Sequence, residues 1–270
     1  MQNTISVVIP SYNSEKYIER CIESVLVQKV SEVIEIIVID GASTDGTIEC
    51  LRKYENVKCL SEPDSGQSDG FNKGINLARG EWIILLDSDD ELTPGSIALY
   101  LASVQRDDSL DVVYGHTQFI DGESNHIRNV ISVPFRYENL IYDLAIPPSS
   151  GLFYKAAVLK KNPMSVNHHY NMDTEWFLRC GENLKFKLVN DYTILFRFWG
   201  SNKTALLFDK GTVPPEIIEE RLVLKRNFTE PYLRSIENQY LKRWFRARAR
   251  AIYCLNKVFH SIFLVGRKRT

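Results

Sequence analysis

Residues 82–92 read WIILLDSDDEL, and this stretch decides the fold. Its first five residues are apolar without interruption, which is typical of a strand buried on both faces of a parallel sheet. Asp87, Asp89, Asp90 and Glu91 follow at once, where such a strand leaves the core. Like charges this close raise one another's pKa and repel unless a cation neutralises them. The stretch therefore predicts a buried central strand with a site for positive charge at its end.

Strand-like and helix-like segments alternate closely over the first third of the chain. Such alternation predicts right-handed βαβ units and a parallel sheet, whose ligand crevice lies at the carboxyl ends of the strands. Asp40 and Asp87 each close a predicted strand and so belong to that edge. The predicted segments are strand 5–9, helix 11–28, strand 33–40, a helix after the possible caps Ser43, Thr44 and Asp45, strand 57–60, helix 67–80 and strand 82–87.

The remaining two thirds of the chain follow a different pattern. Residues 111–132 read as two strands around the turn 121–124, which predicts an antiparallel addition. The fold class predicted is α/β, with a mainly parallel sheet flanked by helices, a small antiparallel addition and a C-terminal helical extension. Further segments are a short helix in 137–146, a loop entering a strand at 147–155, a helix at 172–183, an extended stretch at 184–199 and helices at 214–229 and about 232–264.

The composition is that of a globular protein with a sizeable core. The chain has 270 residues, of which 44% are hydrophobic and 25% charged. Its five cysteines include no C-x-x-C pair and its start does not read as a signal peptide, so we expect a cytoplasmic protein with free thiols. A zinc site is not expected, and no apolar run is long enough to span a bilayer.

Charge divides the chain into two unequal parts. Residues 238–270 carry nine Lys or Arg and no acid. Because the whole chain has a net charge of −1, residues 1–237 have a net charge of −10. Aromatic and aliphatic residues are interspersed with these charges, which predicts that 240–270 form a helix on an anionic membrane surface. The alternative is a helix packed on the main domain. Nucleic acid is not expected as a partner, because no recognition motif accompanies the charge.

Two familiar nucleotide-binding motifs are absent from the sequence. A dehydrogenase-type domain would place G-x-G-x-x-G after the first strand, where this chain reads PSYNSE. The P-loop pattern G-x-x-x-x-G-K-[ST] does not occur either. A ligand at the strand ends is therefore not held by a glycine-rich phosphate cradle.

The spacing Asp87-Ser88-Asp89 suits a hard divalent cation. Magnesium and manganese prefer oxygen ligands, few of them from protein and the rest from phosphates and water. The alternative is that Asp89, Asp90 and Glu91 merely cap the next helix, predicted over 94–105.

Asp40 and the segment PSYN suggest a site for a base. A carboxylate at the end of the second strand can accept the imide N–H of uracil, whereas the alternative is an Asx-turn at Asp40-Gly41. Tyr12 can stack on the base or simply pack, and Pro10 sets the backbone of the turn.

Several segments together resemble the signatures of family 2 glycosyltransferases, which have the GT-A fold. The resemblance covers roughly residues 4–205 and is most specific over 4–93. It implies transfer of a sugar from a nucleotide donor, usually a UDP-sugar, with inversion at the anomeric carbon. The segments are IPSYNSEKYI, IIVIDGASTDGT, EPDSGQSDGFNKGINLARGEWIILLDSDDEL and MDTEWFLR.

Position by position, the resemblance implies a role for each matching residue. Pro10, Tyr12 and Asp40 would contact the base, Asp69 and Ser88 would line the nucleotide-sugar site, Asp89 would be the principal ligand of Mn²⁺ or Mg²⁺, and Asp87 would assist it.

The segment MDTEWFLR resembles the helix start that supplies the catalytic base, which would be Asp173. Met172 departs from the pattern, since an acid is common there. The alternative is that Asp173 caps a helix over 174–182 and that Trp176 belongs to the core.

A second departure is Trp199, which stands where relatives often have a histidine able to reach the metal or diphosphate. Arg197 or Lys203 would then face the phosphates. His168 and His169 would touch the acceptor or belong to a surface loop.

The sequence thus predicts a glycosyltransferase domain at 1–212, with a donor half to about 110 and an acceptor half beyond, and a basic helical extension at 213–270. The expected activity is inverting transfer from a UDP-sugar to a lipid-linked or oligosaccharide hydroxyl, the carrier being a polyprenyl diphosphate. We expect it on the inner membrane face, in surface-polysaccharide synthesis. The alternative, motivated by Met172 and Trp199, is a catalytically silent nucleotide-sugar-binding or scaffold subunit.

Overall fold

The computed structural model describes residues 4–141 and 147–200, together with Ile217, Glu219, Glu220, Val223, Leu224, Asn227 and Phe228. Its nine described strands alternate with helices through the first half of the chain. They are β1 Thr4–Ser11, β2 Val33–Asp40, β3 Val57–Ser61, β4 Trp82–Leu85, β5 Glu91–Leu92, β6 Val112–Ile120, β7 His126–Val130, β8 Leu152–Lys155 and β9 Phe186–Arg197.

The helices up to residue 200 are mostly short, and the last is extended by a 3₁₀ turn. They are α1 Ile18–Leu26, α2 Thr47–Leu51, α3 Gln67–Leu77, α4 Ser96–Arg106, α5 Tyr137–Ile141, α6 Ala156–Lys161 and α7 Met172–Cys180, with the 3₁₀ turn at Gly181–Asn183.

All nine strands form one sheet in the order β3-β2-β1-β4-β8-β6-β9-β5, with β7 paired to β6. The first four strands of this order are parallel, as the alternation of strands and helices predicts. Antiparallel pairing begins at β8 and includes the predicted pair β6–β7. The predicted fold class is confirmed, and the parallel half brings the carboxyl ends of β1 to β4 to one edge.

Helices cover both faces of the sheet, which explains the unbroken apolar run of β4. Ile83 and Leu85 pack in the core beneath α3, α6 and α7, while Trp82, Ile84 and Leu86 pack in a second core beneath α1 and α4. Because side chains alternate along a strand, a run buried on both faces needs apolar residues at every position. Each fully buried side chain of this size stabilises the fold by about 1.5–3 kcal/mol.

Helix α3 lies unusually close to β1, and this approach positions its first turn at the crevice. A Cβ on Gly74 would overlap Cγ1 of Val8, and a Cβ on Gly70 would lie 2.9 Å from Cβ of Pro10. Glycine at both positions therefore lets α3 approach the end of β1.

Three parts of the element assignment from sequence need correction. The helix expected over 11–28 begins only at Ile18, because residues 12–17 form a loop in which Asn13 has φ +50° and Ser14 donates its N–H to Thr47 Oγ1 at 2.8 Å. Strand β5 and helix α6 are not predicted at all. The two residues of β5 pair with β9, and α6 has six residues, so neither shows a readable period.

The described residues beyond Ile217 are helical and pack on the domain. Ile217 and Leu224 are buried, and Leu224 and Phe228 contact the core that contains Trp176. No helix among the described residues is long and apolar enough to cross a bilayer. The tail 240–270, predicted to meet a membrane, lies outside the described residues. The domain boundary proposed near 212 stays a prediction.

Candidate active site

The carboxyl ends of β1, β2 and β3 lie in register at one edge of the sheet. Ser11 is paired with Asp40, and Asp40 with Ser61. Asp87 follows β4 at the same edge, and its N–H donates to Ser150 Oγ at 3.0 Å. The segment PPSSG at 147–151 therefore contacts the acidic stretch directly.

The loops after β1 and β2 are joined by hydrogen bonds. Asn13 donates its N–H to Ser43 Oγ at 2.8 Å, and its side-chain oxygen accepts the N–H of Thr44 at 2.9 Å. Asn13 and Ala42 both have positive φ, 50° and 61°, a conformation that costs free energy in a residue other than glycine. These contacts leave Tyr12 63% exposed at the rim, where its ring is available for stacking.

Asp40 is fully buried at the end of β2. Its carboxylate accepts hydrogen bonds from Ser43 Oγ at 2.5 Å, from Ser43 N–H at 3.0 Å and from Ser61 Oγ at 2.7 Å. The bonds to Ser43 are local, but they reach the residue three positions on, whereas an Asx-turn binds the N–H two positions on. A carboxylate offers about four acceptor positions, and these bonds occupy three of them. Base contact by Asp40 stays a prediction.

The acidic residues after β4 do not cap the following helix. Helix α4 begins at Ser96 behind Gly95, and within the described residues no side chain caps it. Asp90 instead accepts the N–H of Arg197 at 2.9 Å, and Glu91 forms an ion pair with the Arg197 guanidinium. The capping interpretation of these acids is therefore wrong.

Arg197 is a structural residue and does not face a phosphate. It is fully buried, and its Nε donates to the carbonyl of Asp89 at 2.8 Å. One of its terminal nitrogens donates to the carbonyl of Asp121 and to Ser124 Oγ, both at 2.9 Å. Glu91 and these three acceptors occupy the guanidinium, which corrects the expectation that Arg197 meets the diphosphate. The other candidate, Lys203, lies outside the described residues.

Asp87, Ser88 and Asp89 each have a distinct partner. Asp87 Oδ1 accepts a hydrogen bond from Gln67 Nε2 at 2.6 Å, at the start of α3. The hydroxyl of Ser88 lies 2.8 Å from that of Ser14. Asp89 Oδ2 accepts a hydrogen bond from Trp199 Nε1 at 3.0 Å. The three residues of the D-x-D segment are thus held by three different elements.

Negative charge is concentrated here, as the sequence indicates. Burial, together with the neighbouring charges of Asp89 and Asp87, raises the pKa of Asp90 well above its ordinary value. Oδ2 of Asp90 is buried without a hydrogen-bond partner among the described residues. A cation beside these carboxylates would offset their repulsion.

The donor set fits magnesium or manganese in one specific way. Among the described residues, no group of three or more His, Cys, Asp and Glu is placed to hold a metal by itself. Asp87 and Asp89 offer hard carboxylate oxygens, and Mg²⁺ is commonly bound by one or two carboxylates, with phosphates and water as further ligands. The residues present therefore suit an ion that arrives with a phosphorylated ligand.

Asp173 lies in the first turn of α7, not at its N-cap, which is Asn171. Its Oδ1 accepts the N–H of Thr174 at 2.7 Å. The capping alternative for Asp173 is therefore wrong in position, whereas Trp176 is a core residue, fully buried with its indole N–H donating to the carbonyl of Asn162 at 2.6 Å.

The first turn of α3 connects Asp173 with the acidic stretch. Gln67 contacts Asp87, and the next residue, Ser68, donates its hydroxyl to the sulfur of Met172 at 3.1 Å. Burial and then the charge of Asp173, with a smaller effect of Asp87, raise the pKa of Tyr154 well above its ordinary value. The first turn of α3 thus links Asp87 to the start of the helix that carries Asp173, 86 positions further along the sequence.

Asp69 lies on the same turn and is held by its neighbours. Its Oδ2 accepts the N–H of Ser65 at 3.1 Å and lies 3.5 Å from Lys73 Nζ. Gly66, with φ +109°, precedes the helix, and a Cβ there would lie 3.2 Å from the ring of His169. His169 therefore lies against the loop that leads to Asp69.

The other histidine of this segment, His168, is held by Glu220. His168 Nδ1 lies 3.0 Å from Glu220 Oε1, and Asn171 Nδ2 donates to Glu220 Oε2 at 2.9 Å. Glu220 thereby fixes the segment that leads into α7, and His168 is bound within the protein.

Sequence reasoning missed several side chains that hold the site. Gln67 lies in a segment that carries the family resemblance but receives no role there, and no motif marks Ser150. Only their hydrogen bonds to Asp87 show that they hold the site. In the sequence, Trp199 stands out solely as a departure from the family pattern, which does not indicate its hydrogen bond to Asp89.

The architecture is that of the GT-A glycosyltransferases. The structure matches that of TarS from S. aureus, solved in complex with UDP-GlcNAc, with a TM-score of 0.66 at 22% identity over 83% of this chain and 65% of that chain. A family model for Glycosyl transferase family 2 matches residues 6–170. The chain belongs to that family.

Curated relatives agree with this assignment. Chondroitin synthase of Escherichia coli is 32% identical over 190 residues, which are 69% of this chain and 28% of the relative. Poly(ribitol-phosphate) beta-glucosyltransferase of Bacillus spizizenii is 30% identical over 232 residues, 78% of this chain and 34% of the relative. The chain thus spans about a third or less of the length of these two relatives.

Proposed function

We propose that this chain transfers a sugar, with inversion, from a UDP-sugar to a hydroxyl of a lipid-linked or oligosaccharide acceptor in cell-surface polysaccharide synthesis. The observation that supports the proposal is a pair of contacts from the first turn of α3. Gln67 contacts Asp87, and Ser68 contacts Met172, so this turn links the acidic segment to the helix of Asp173. The names of the relatives and the UDP-GlcNAc complex of TarS support the class of donor and product.

The donor side of the crevice has a defined role for each predicted residue. The exposed ring of Tyr12 stacks on the base, and Asp40 offers its remaining acceptor position to the uracil N–H. The nucleotide-sugar lies along the first turn of α3 and the end of β4. The donor-binding residues are Pro10, Tyr12, Asp40, Asp69 and Ser88.

Asp89, assisted by Asp87, would hold Mn²⁺ or Mg²⁺. When bound, the ion would neutralise charge on the departing diphosphate. The chain's own contribution is to fix the two carboxylates, which it does through Gln67 and Trp199.

Asp173 acts as the base. Its carboxylate takes the proton of the acceptor hydroxyl as that oxygen attacks the anomeric carbon from the face opposite the diphosphate. The new bond forms between the acceptor oxygen and the anomeric carbon while the bond from that carbon to the diphosphate oxygen breaks. The nucleoside diphosphate leaves with the bonding electrons, so the configuration inverts.

The acceptor is proposed to be a saccharide on a polyprenyl diphosphate at the inner face of the membrane. The basic stretch 240–270 supports this placement, because each Lys or Arg near anionic lipid adds about 1 kcal/mol to binding. The chain is thus proposed as a peripheral protein.

A catalytically silent subunit remains the competing proposal, since Met172 and Trp199 depart from the family pattern. Loss of transfer in Asp173→Asn with donor binding intact would rule it out. The same variant tests the role of Asp173 as the base.

The donor site is tested first by calorimetry of UDP binding with and without Mn²⁺. We expect wild-type protein to bind UDP in a Mn²⁺-dependent manner and Asp89→Ala to lose that dependence. The matched control is Glu55→Ala, an exposed acid on another loop, which should behave as wild type. Equal UDP binding with and without the metal would contradict the metal role, and absent binding of UDP would direct the search to GDP and TDP.

A further inference from the structure

We propose that Trp199 is a positioning residue for the metal site: its indole N–H holds the carboxylate of Asp89 in the orientation that receives the divalent ion. The inference rests on the proposed function, in which Asp89 is the principal ligand. It assigns a role to the residue at which this chain departs from the histidine often found in relatives.

The contact itself has a fixed polarity. Trp199 Nε1 lies 3.0 Å from Oδ2 of Asp89. An indole N–H is a donor only, so it can stabilise the ionised carboxylate and cannot itself bind a metal. A hydrogen bond to an ionised acceptor is about twice as strong as one between neutral groups. Trp199 therefore holds one oxygen of the Asp89 carboxylate by a directional hydrogen bond.

The indole is itself held in place by its surroundings. The ring of Tyr17 meets it edge-on with centroids 4.9 Å apart and planes at 68°, and Lys16 Nζ lies 5.6 Å from its centroid. The Arg197 guanidinium lies 4.6 Å from the other ring of this group, Tyr17. The N–H therefore points at Asp89 from a supported ring.

The end of β9 fixes Asp89 at two points. Arg197 Nε donates to its backbone carbonyl at 2.8 Å, while Trp199 binds its side chain. Backbone and carboxylate of one residue are thus both held by residues only two positions apart. Among acids that repel one another, such restraint keeps Asp89 from rotating away in the absence of the ion.

Loss of a partner that orients a metal ligand typically lowers metal affinity by 10–100-fold. Trp199→Phe removes the N–H and keeps an aromatic ring against Tyr17. The matched control is Trp82→Phe, the same kind of change at the start of β4, which is the end of that strand away from Asp87. The ring of Trp82 stacks on Phe153.

The experiment is a calorimetric titration of Mn²⁺ into protein with UDP, with thermal unfolding measured in the absence of metal. We expect at least tenfold weaker Mn²⁺ binding in Trp199→Phe, unchanged UDP affinity without metal, and wild-type Mn²⁺ binding in Trp82→Phe. Mn²⁺ affinity in Trp199→Phe equal to wild type would overturn the inference. So would an equal loss of UDP affinity with and without the metal, since that indicates general damage.

Two other results are also decisive. If Trp199→Phe does not fold, Trp199→Leu, which also lacks the N–H, decides: Mn²⁺ binding at least tenfold weaker than wild type supports the inference, and wild-type affinity overturns it. If wild-type protein shows no Mn²⁺ response, the metal part of the proposed function fails and this inference falls with it. If wild-type protein does bind Mn²⁺ and Trp199→Phe binds it equally well, the inference fails while the proposed function stands.

Discussion

At the scale of single residues, four neighbouring acids have different partners. Asp87 is bound by Gln67, Asp89 by Trp199, and Asp90 and Glu91 by the backbone and side chain of Arg197. The sequence shows that the charges are close, but each partner lies at least 20 positions away. The division into acids proposed to bind a metal and acids that hold Arg197 is therefore decided by tertiary contacts.

Asp173→Asn tests the base. Asparagine keeps the size of the side chain but cannot take the acceptor proton, so we expect kcat to fall by about 10²–10⁴-fold. UDP affinity should stay within twofold of wild type, because Asp173 does not touch the donor in the proposed scheme. Transfer rates and calorimetry on the same preparation provide the measurement.

The control for this variant is Glu182→Gln, an exposed acid just beyond the other end of α7, which should leave both quantities unchanged. Full activity in Asp173→Asn would exclude it as the base. Lost UDP binding would show that it holds the donor.

At the scale of elements, a buried polar cluster ties the first three strands together away from the site. Glu35 on β2 accepts hydrogen bonds from Ser6 Oγ on β1 at 2.5 Å, from Arg79 N–H at 2.6 Å and from Lys58 Nζ on β3 at 2.6 Å. Burial alone raises the pKa of Glu35, but the hydrogen bonds from Lys58, Ser6 and Arg79 outweigh it, and the pKa is lowered.

A lowered carboxyl pKa predicts a specific pH dependence of stability. The stabilisation is fully present above the unfolded pKa of 4.5 and is lost as the pH falls through the lower folded pKa. Glu35→Gln should therefore lower the free energy of unfolding by about 1–2 kcal/mol at pH 7. The ion pair with the half-exposed Lys58 contributes little of this loss, because solvent screens it. The difference in free energy of unfolding between wild type and Glu35→Gln should become smaller below pH 4.5. Urea unfolding at several pH values measures it.

Glu55→Gln serves as the exposed control for this series and should show no such gap. A difference between wild type and Glu35→Gln that stays constant from pH 7 to pH 3 would contradict the argument, because it would show that the charge of Glu35 is not what stabilises the fold.

The elements also show what a single sequence can predict. Strand β4 and helix α3 are found where the apolar runs and the helical pattern place them, because both are set by local period and burial. The helix expected from residue 11 starts at Ile18, because the loop before it is shaped by bonds to residues 43–47, some 30 positions away. Such bonds leave no trace in a local pattern.

At the scale of the whole molecule, the acidic domain and the basic tail are expected to meet different surfaces. We predict that the full chain sediments with vesicles containing anionic lipid and not with neutral vesicles. Replacing Lys242, Arg243, Arg246, Arg248 and Arg250 by glutamine should weaken binding by at least tenfold, since each charge adds about 1 kcal/mol.

Salt provides the control for this measurement. Electrostatic binding should weaken steeply between low ionic strength and 1 M salt, where charges are screened beyond about 3 Å. Binding that is indifferent to salt and to the five substitutions would contradict a role of the basic tail at the membrane.

The sequence by itself determined the class of fold, the edge of the sheet that carries the site, and the acids that gather there. These follow from local order, because apolar runs, helical periods and strand ends are set by neighbouring residues. Only the tertiary structure decided that Asp90 and Glu91 serve Arg197, that Trp199 binds Asp89, and that α3 links Asp87 to the helix of Asp173. These contacts join residues that are far apart in the sequence and become neighbours only on folding. Buried polar groups need hydrogen-bond partners, and the packing of the elements decides which partners are within reach.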